Sequence, residues 1–255
     1  MHLILVPVGG ICNRLRAIGS AVRLCRLAGA RCSVVWDWGD FWHFFSAMPN
    51  IEILRSAPRG EGLQIRHVPV HRDPSREVTL SRGSVELHSG YVFWRQGEAR
   101  IGVRDVLPFL PRLSDNLAAE VDTFARQHFA DTVGLHMRRT DNKHAIARSP
   151  DSMFLERASD LVARGKRLFL ATDNAATESR MRRRFGRALL THPKRQRLLQ
   201  RWPRQFDRIA TEDDLIDLFL LARTQYIVGS FWSSFSDFAI ALNGSGSSEI
   251  LKNKS

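Results

Sequence analysis

This chain of 255 residues contains no run of about 18 apolar residues, so no helix read from it is long and apolar enough to cross a membrane. The stretch from Met1 to Val8 has no basic n-region and is too short for a secretory signal; it reads as a first buried strand. The expected location is therefore the cytoplasm, or the inner face of its membrane. Cysteine is scarce. Cys12, Cys25 and Cys32 make an odd number with no CxxC pair, which argues against a disulfide framework or a zinc site and for reduced thiols near the core. There is no Asp-x-Asp at a strand end to hold magnesium, and no internal repeat.

What is present suits one large or two small globular domains, with 44% apolar and 25% charged residues. The net charge of +12 is concentrated. From Arg180 to Arg208, Arg180, Arg182, Arg183, Arg184, Arg187, Lys194, Arg195, Arg197, Arg201, Arg204 and Arg208 face Asp207 alone. Such a field favours an anionic partner: a phosphorylated acceptor, an acidic membrane surface or nucleic acid. Few aromatics interleave it (Phe185, Trp202, Phe206), so specific nucleic-acid reading is not expected. A solvated basic face is the plainer alternative.

Along the chain, strand and helix signals alternate. Leu3–Val8 reads as a strand ending at Gly9-Gly10, Asn13–Ala28 as a helix stopped by Gly29, and Cys32–Trp36 as a second strand. Residues 37–46 read as an aromatic loop or short helix. Short strand-like pieces follow at 63–70, 85–87 and 91–94. Pro108 and Pro111 mark an expected hinge, dividing an N-terminal Rossmann-like half (1–110) from a C-terminal one (111–255). Beyond it, helices are expected at 113–129, 152–164, 175–185, 213–223 and 233–242, with strands at 132–137, 167–172 and 226–230. The Gly/Ser-rich, then Lys-rich tail from Asn243 is expected to fray. Two α/β halves facing a cleft would bind ligands beyond the carboxyl ends of their strands.

Four clusters fall at such ends. The first, Gly9-Gly10-Ile11-Cys12-Asn13, lets backbone approach a ligand before a helix N-terminus, but is neither a dinucleotide glycine motif nor a P-loop. The second is His136-Met137-Arg138-Arg139-Thr140-Asp141. Paired arginines at a strand end match phosphate oxygens two at a time; a surface pair between Arg139 and Asp141 is the bland alternative. The third is Ala171-Thr172-Asp173-Asn174, where Thr172 or Asp173 alone would read as a helix cap. The fourth places Asp213, Asp214 and Asp217 on one helix, and Gly229-Ser230-Phe231-Trp232-Ser233-Ser234 at the following strand end.

In this order the four clusters resemble the fucosyltransferase superfamily of nodulation-factor and core α-1,6-fucosyltransferases and protein O-fucosyltransferases. Arg138-Arg139-Thr140-Asp141, with His136, resembles the His-x-Arg-Arg-Thr-Asp block of the core enzymes. Ala171–Asn174 resembles their Ala-Thr-Asp-Asp turn, and Asp217 to Ser234 their closing helix-strand-serine block. Gly9-Gly10 and Asn13 are similar to the glycine-asparagine loop of the protein O-fucosyltransferases. The resemblance implies a GT-B-like α/β fold and inverting, metal-independent transfer from GDP-fucose without a cofactor. It also implies that Arg138 binds the β-phosphate with Arg139 assisting, and that Arg138, Arg139 and Asp141 form the catalytic block. His136 and Asp217 would read guanine, Ser234 (or Ser233, since Trp232 looks inserted) would bond phosphate, and Gly10, Asn13 and Asp173 would shape the donor pocket. The core enzymes follow the Asp with Lys and then a catalytic Glu; here Asn142 and Ile146 stand instead, so the base is unassigned or none is needed. The acceptor, whether glycan, lipid-linked saccharide or protein, is open. A GDP-binding homologue without turnover and a basic nucleotide- or RNA-binding module are the competing functions.

Overall fold

The computed structural model describes residues 1–46, 48, 50–58, 64–67, 76–80, 82–195, 208–245 and 247–253. It divides into two compact units, Met1–Asp115 and Asn116–Ser255. In the first lie β1 (His2–Pro7), α1 (Ile11–Ala28), β2 (Arg31–Val35), α2 (Phe41–Phe44), β3 (Ile51–Leu54), β4 (Gln64–His67), β5 (Glu77–Val78), β6 (Ser84–Ser89), β7 (Trp94–Arg95) and α3 (Val103–Val106). Its described sheet is parallel throughout, in the order β3-β2-β1-β6-β4. β1 is central. Buried on both faces, it needs the unbroken apolar run Leu3-Ile4-Leu5. The aromatic stretch after β2 forms α2, which Asp40 caps by accepting the Trp42 N–H at 3.1 Å. Trp36, Phe41, Phe44 and Phe45 pack there as a buried, largely edge-to-face cluster.

The second unit carries α4 (Asp115–His128, whose first residue closes the first unit), β8 (Thr132–Met137), α5 (Lys143–Arg148), α6 (Asp151–Ala163), β9 (Arg167–Thr172), α7 (Ala175–Phe185), β10 (Leu189–Leu190), α8 (Arg208–Ala222), β11 (Tyr226–Ser230), α9 (Ser234–Asn243) and β12 (Ser248–Leu251). Its sheet, also parallel, runs β10-β9-β8-β11-β12. Every residue of the central β8 is buried. Val133, Leu135 and Met137 join a core with Phe154, Ala158 and Leu161 of α6 and Met181 of α7. The alternate residues face α8 and α9. There Gly134 is required by space, because a Cβ would come within 2.5 Å of the Leu221 side chain and 2.6 Å of Thr224 Oγ1.

Several expectations are corrected. From 248 to 251 the tail does not fray: Ser248–Leu251 pairs with β11 as an edge strand, because Leu251 is buried in the core and its carbonyl accepts from Ser149 Oγ. Residues 91–93 are not strand; the pairing begins at Trp94. α8 starts at Arg208 rather than at Asp213. Residues 63 and 68–70 of the strand expected at 63–70 lie outside the described residues, as do Arg197, Arg201 and Arg204 of the basic run.

Candidate functional site

Parallel pairing brings the carboxyl ends of β9, β8 and β11 to one edge of the second sheet. At the end of β8 the backbone N–H of Arg138 donates to Ser230 Oγ of β11 at 3.0 Å. The N–H of Arg139 donates to Asp173 Oδ1, just past β9, at 2.8 Å. The turn is thus tied to both neighbouring strands. Asp173, its side chain 6% exposed, also accepts from Thr140 Oγ1 at 2.6 Å and pairs with Arg138 Nη1 at 2.9 Å. Arg138 Nη2 pairs with Asp141. The Arg138 guanidinium, 27% exposed, is therefore held by two carboxylates that occupy part of its five N–H donors. The bland alternative, a pair between Arg139 and Asp141, does not form; Asp141 pairs with Arg138. The cap of α7 is Asn174, which accepts the Thr177 N–H at 2.9 Å, rather than Thr172 or Asp173. Thr172 donates to the Met137 carbonyl at 2.8 Å, and Asp173 is committed to the arginine turn.

Arg139 points away from solvent, its side chain 6% exposed. Nε donates to Asp151 of α6, Nη1 to the Arg138 carbonyl at 2.7 Å and Nη2 to the Ser149 carbonyl at 2.8 Å, with the guanidinium over the Phe154 ring. Asp151 also takes Arg180. The two adjacent arginines therefore differ in role. One guanidinium reaches the strand-end surface, and the other braces the segment from 138 to 151.

His136 is buried, 3% exposed, on the face of β8 toward α9. Its Nδ1 lies 2.7 Å from Ser236 Oγ, and its ring stacks on Phe235. Ser236 Oγ also accepts the Ser230 N–H at 3.0 Å, while Ser230 Oγ donates to the His136 carbonyl at 2.9 Å. Burial, with the nearby Arg138 and Arg139 charges adding to it, pushes the His136 pKa down to about 3, so the imidazole is neutral. Ser233, the N-cap of α9, makes no side-chain cap bond and Ser234 begins the helix. The first N–H groups of α9 lack that partner beside the β11 end, an arrangement suited to an anion.

A second cluster lies on α8. Glu212, Asp213 and Asp217 are all buried. Lys194 Nζ pairs with Asp217 Oδ2. Arg195 donates its N–H to Asp213 at 3.1 Å and its guanidinium to Glu212 at 2.6 Å and to Glu120 of α4. Asp217 Oδ1 is buried without a hydrogen-bond partner among the described residues. Burial lifts the Asp217 pKa to about 6; Lys194 opposes the shift, while Asp214 and Asp213 add to it. Of the basic run, Lys194 and Arg195 are thus tied into this cluster by carboxylates, and Arg180 is tied to Asp151 beside Arg139.

In the first unit, Gly9 takes φ +83°, and a Cβ there would sit 2.6 Å from Asn13 Nδ2. Gly10 caps α1 without a side chain, and Asn13 Oδ1 is buried without a partner among the described residues. Arg14 donates to the Gly9 carbonyl at 3.1 Å and to Asp37 at 2.8 Å, and covers the Trp38 ring. Burial lowers its pKa.

Arg138, Arg139, Asp141 and Asp173 thus form one network, to which His136 is joined through Ser230 and Ser236. Asp217 belongs to the α8 cluster, and Gly10 and Asn13 to the first unit. Sequence reading named Ser230 in the fourth cluster and Arg180 and Lys194 in the basic run without giving them these roles, and it did not single out Asp151 or Ser236 as site residues. Of these, Ser230 and Ser236 carried a signal, as serines around a strand end and a helix start. Among the described residues no group of three or more His, Cys, Asp or Glu could hold a metal, and no helix is long and apolar enough to cross a membrane.

No protein-family model matches this chain, and no curated protein matches it by sequence. Solved structures do match. The fucosyltransferase NodZ from Bradyrhizobium is 15% identical, with a TM-score of 0.61 over 93% of this chain and 92% of that one. POFUT1 in complex with GDP is 13% identical, with a TM-score of 0.60 over 98% of each chain. A mutant of Arabidopsis thaliana FUT1 in complex with GDP is 13% identical, with a TM-score of 0.65 over 100% of this chain and 70% of that one. The chain, an α/β protein with two parallel sheets flanked by helices, has the fold of the GT-B fucosyltransferases.

Proposed function

We propose that this protein is a glycosyltransferase that takes a sugar, fucose in the first instance, from a GDP-linked donor and transfers it with inversion and without a metal. The observation that carries the reading is the Arg138 guanidinium at the end of β8, braced by Asp173 and Asp141, on a turn whose backbone is tied to Ser230 at the end of β11, the strand that leads into α9. NodZ was crystallised with GDP and soaked with GDP-fucose, and POFUT1 and the plant FUT1 were solved with GDP.

In this reading Arg138 and the α9 N–H groups face the donor pyrophosphate. As the bond from the sugar C1 to the β-phosphate oxygen breaks, its electron pair leaves with GDP and charge grows on that oxygen. Preorganised donors stabilise that charge without a metal. An acceptor hydroxyl attacks C1 from the opposite face. Its proton passes to Asp141, the more exposed of the two carboxylates on Arg138. Asp217 Oδ1 accepts from the guanine N1–H and N2–H₂ edge, and neutral His136 donates to the base from Nε2. Arg139 acts through the backbone it braces. Asp173 shapes the pocket, and Ser233 and Ser234 offer hydroxyls to phosphate.

The test compares thermal stabilisation by GDP, UDP, CDP and ADP at equal concentration, then follows GDP-fucose hydrolysis with and without EDTA. GDP should stabilise most, and hydrolysis should survive chelation. Greater stabilisation by UDP, or loss of turnover in EDTA with rescue by magnesium or manganese, sinks the reading.

A further inference from the structure

Trp232 departs from what its position should tolerate. It sits between the end of β11 and the start of α9, with φ +54° and 62% of its surface exposed. A left-handed backbone is costly for a bulky aromatic and free for glycine, and an indole in water leaves a large apolar face unused. Yet the conformation is actively held. Asn142 Oδ1 caps α5 through the Ala145 N–H at 3.0 Å, and Nδ2 of the same side chain donates to the Trp232 carbonyl at 2.7 Å. The His144 ring stacks near the indole, with centroids 5.9 Å apart and planes 28° from parallel. The Phe231 ring packs edge-on to the same indole, with centroids 5.9 Å apart. Asn142 and Trp232, both departures from the pattern the sequence resembles, thus touch one another.

The surroundings fit one ligand chemistry. A pyranose has an apolar face of C–H bonds and a rim of hydroxyls. The electron-rich face of an indole attracts such C–H bonds, and planar amides and carboxylates bind the rim in pairs. The His144 ring lies against Trp232, and Thr140 and Asp141, exposed in the same turn, immediately precede the Asn142 that holds the Trp232 carbonyl. Asp141 also holds Arg138, so the guanidinium and the side chain that sets Trp232 belong to one short turn. We infer that Trp232, set by Asn142 and flanked by His144, is a stacking platform for a pyranose ring. The ring comes either from the donor sugar or from a saccharide acceptor. The inference rests on the transferase reading for its place in a reaction, but not for the binding itself.

The full chain is labelled with 5-fluorotryptophan and observed by fluorine NMR. The Trp232 signal is the one absent from Trp232→Gly, a variant that relieves the backbone and should fold at least as well as the parent. GDP, GDP-fucose, and methyl pyranosides (glucoside, galactoside, N-acetylglucosaminide) in the presence of GDP are then titrated. A Trp232 shift with GDP-fucose beyond that with GDP assigns the platform to the donor sugar; a shift with a methyl pyranoside assigns it to the acceptor. The dissociation constant of the responding sugar should rise about tenfold in Trp232→Gly and return to within about threefold in Trp232→Tyr, while that of GDP stays unchanged. A Trp232 signal that ignores every sugar overturns the inference. Failure of the parent protein to bind GDP instead sinks the transferase reading, and the pyranoside titrations still report on the platform.

Discussion

Lys194 sets its ammonium on Oδ2 of Asp217, while Oδ1 of the same carboxylate is buried and accepts no hydrogen bond from the described residues. Half of this carboxylate is satisfied and half is waiting. Burial raises its pKa to about 6, so a proton competes with any base that Oδ1 would accept from. As pH falls through about 6, the folded protein takes up this proton before the unfolded chain does; the group then adds stability down to the ordinary carboxylate range. Buried neutral His136 has the opposite sign: with a folded pKa near 3, it costs stability as pH falls below about 6.5. Stability alone therefore does not isolate Asp217, but ligand affinity does. The dissociation constant for GDP should be flat above about pH 7 and rise up to about tenfold per unit below about pH 6, a trend that Asp217→Asn removes. Calorimetric titrations across that range check it, and an affinity independent of pH in the parent protein refutes the guanine role.

Replacing the partner moves the same transition. Lys194 favours the ionised form of Asp217. In Lys194→Met the carboxyl loses that support, so the fall in GDP affinity should begin at higher pH than in the parent. Above the raised transition, where Asp217 is ionised in both, the affinities should converge to within about threefold. A transition that stays in place shows that Lys194 does not control this carboxylate.

Much of the second unit was legible because its signals are local. The strands at 132–137, 167–172 and 226–230 are apolar runs closed by polar turns, and each turn offers its side chains at the carboxyl end of a parallel strand. What escaped depends on contacts distant in sequence. The edge strand Ser248–Leu251 has weak intrinsic signals and exists because β11 offers a free edge. Arg138 and Arg139 are identical as letters. Their division into a surface guanidinium and a buried brace follows from Asp151, twelve residues on, and from alternation at the end of β8. Lys194 read as one more charge in a basic run until the fold set it against Asp217, 23 residues away.

That division of the arginine pair is testable through stability. Arg139 satisfies Asp151 and the carbonyls of Arg138 and Ser149 within a buried setting. Arg139→Ala leaves those acceptors short of partners, although Asp151 keeps Arg180. The cost should be about 2–3 kcal/mol, seen as a loss of roughly 5–10 °C in Tm. Arg139→Lys should recover little, because an ammonium cannot reproduce the fork. A Tm within about 2 °C of the parent for Arg139→Ala would show that the brace carries no load.

Arg138→Ala should be the most damaging single change to catalysis, with little effect on the fold. The side chain is partly exposed, and its two carboxylates keep other contacts or reach water. In the ground state Arg138 meets a pyrophosphate that is already charged. In the transition state the β-phosphate oxygen gains further charge, and the same contact strengthens. Removing one preorganised donor of this kind costs about 10²–10³ in kcat. Arg138→Lys should rescue little, since the two-pronged geometry is lost. Asp141→Asn separates binding from chemistry. It removes the charge that competes with phosphate for Arg138, so GDP should bind more tightly, by about threefold or more. It also removes the carboxylate that receives the acceptor's proton, so transfer should fall by about 10²-fold or more. The measurements are GDP affinity, donor hydrolysis and transfer for the three variants, each first checked for an unchanged Tm. A well-folded Arg138→Ala protein that keeps more than about a third of the parent kcat removes the pyrophosphate role from Arg138, because the loss expected of such a donor is far larger. Tighter GDP binding with undiminished transfer in Asp141→Asn would leave Arg138 in place and take the proton away from Asp141.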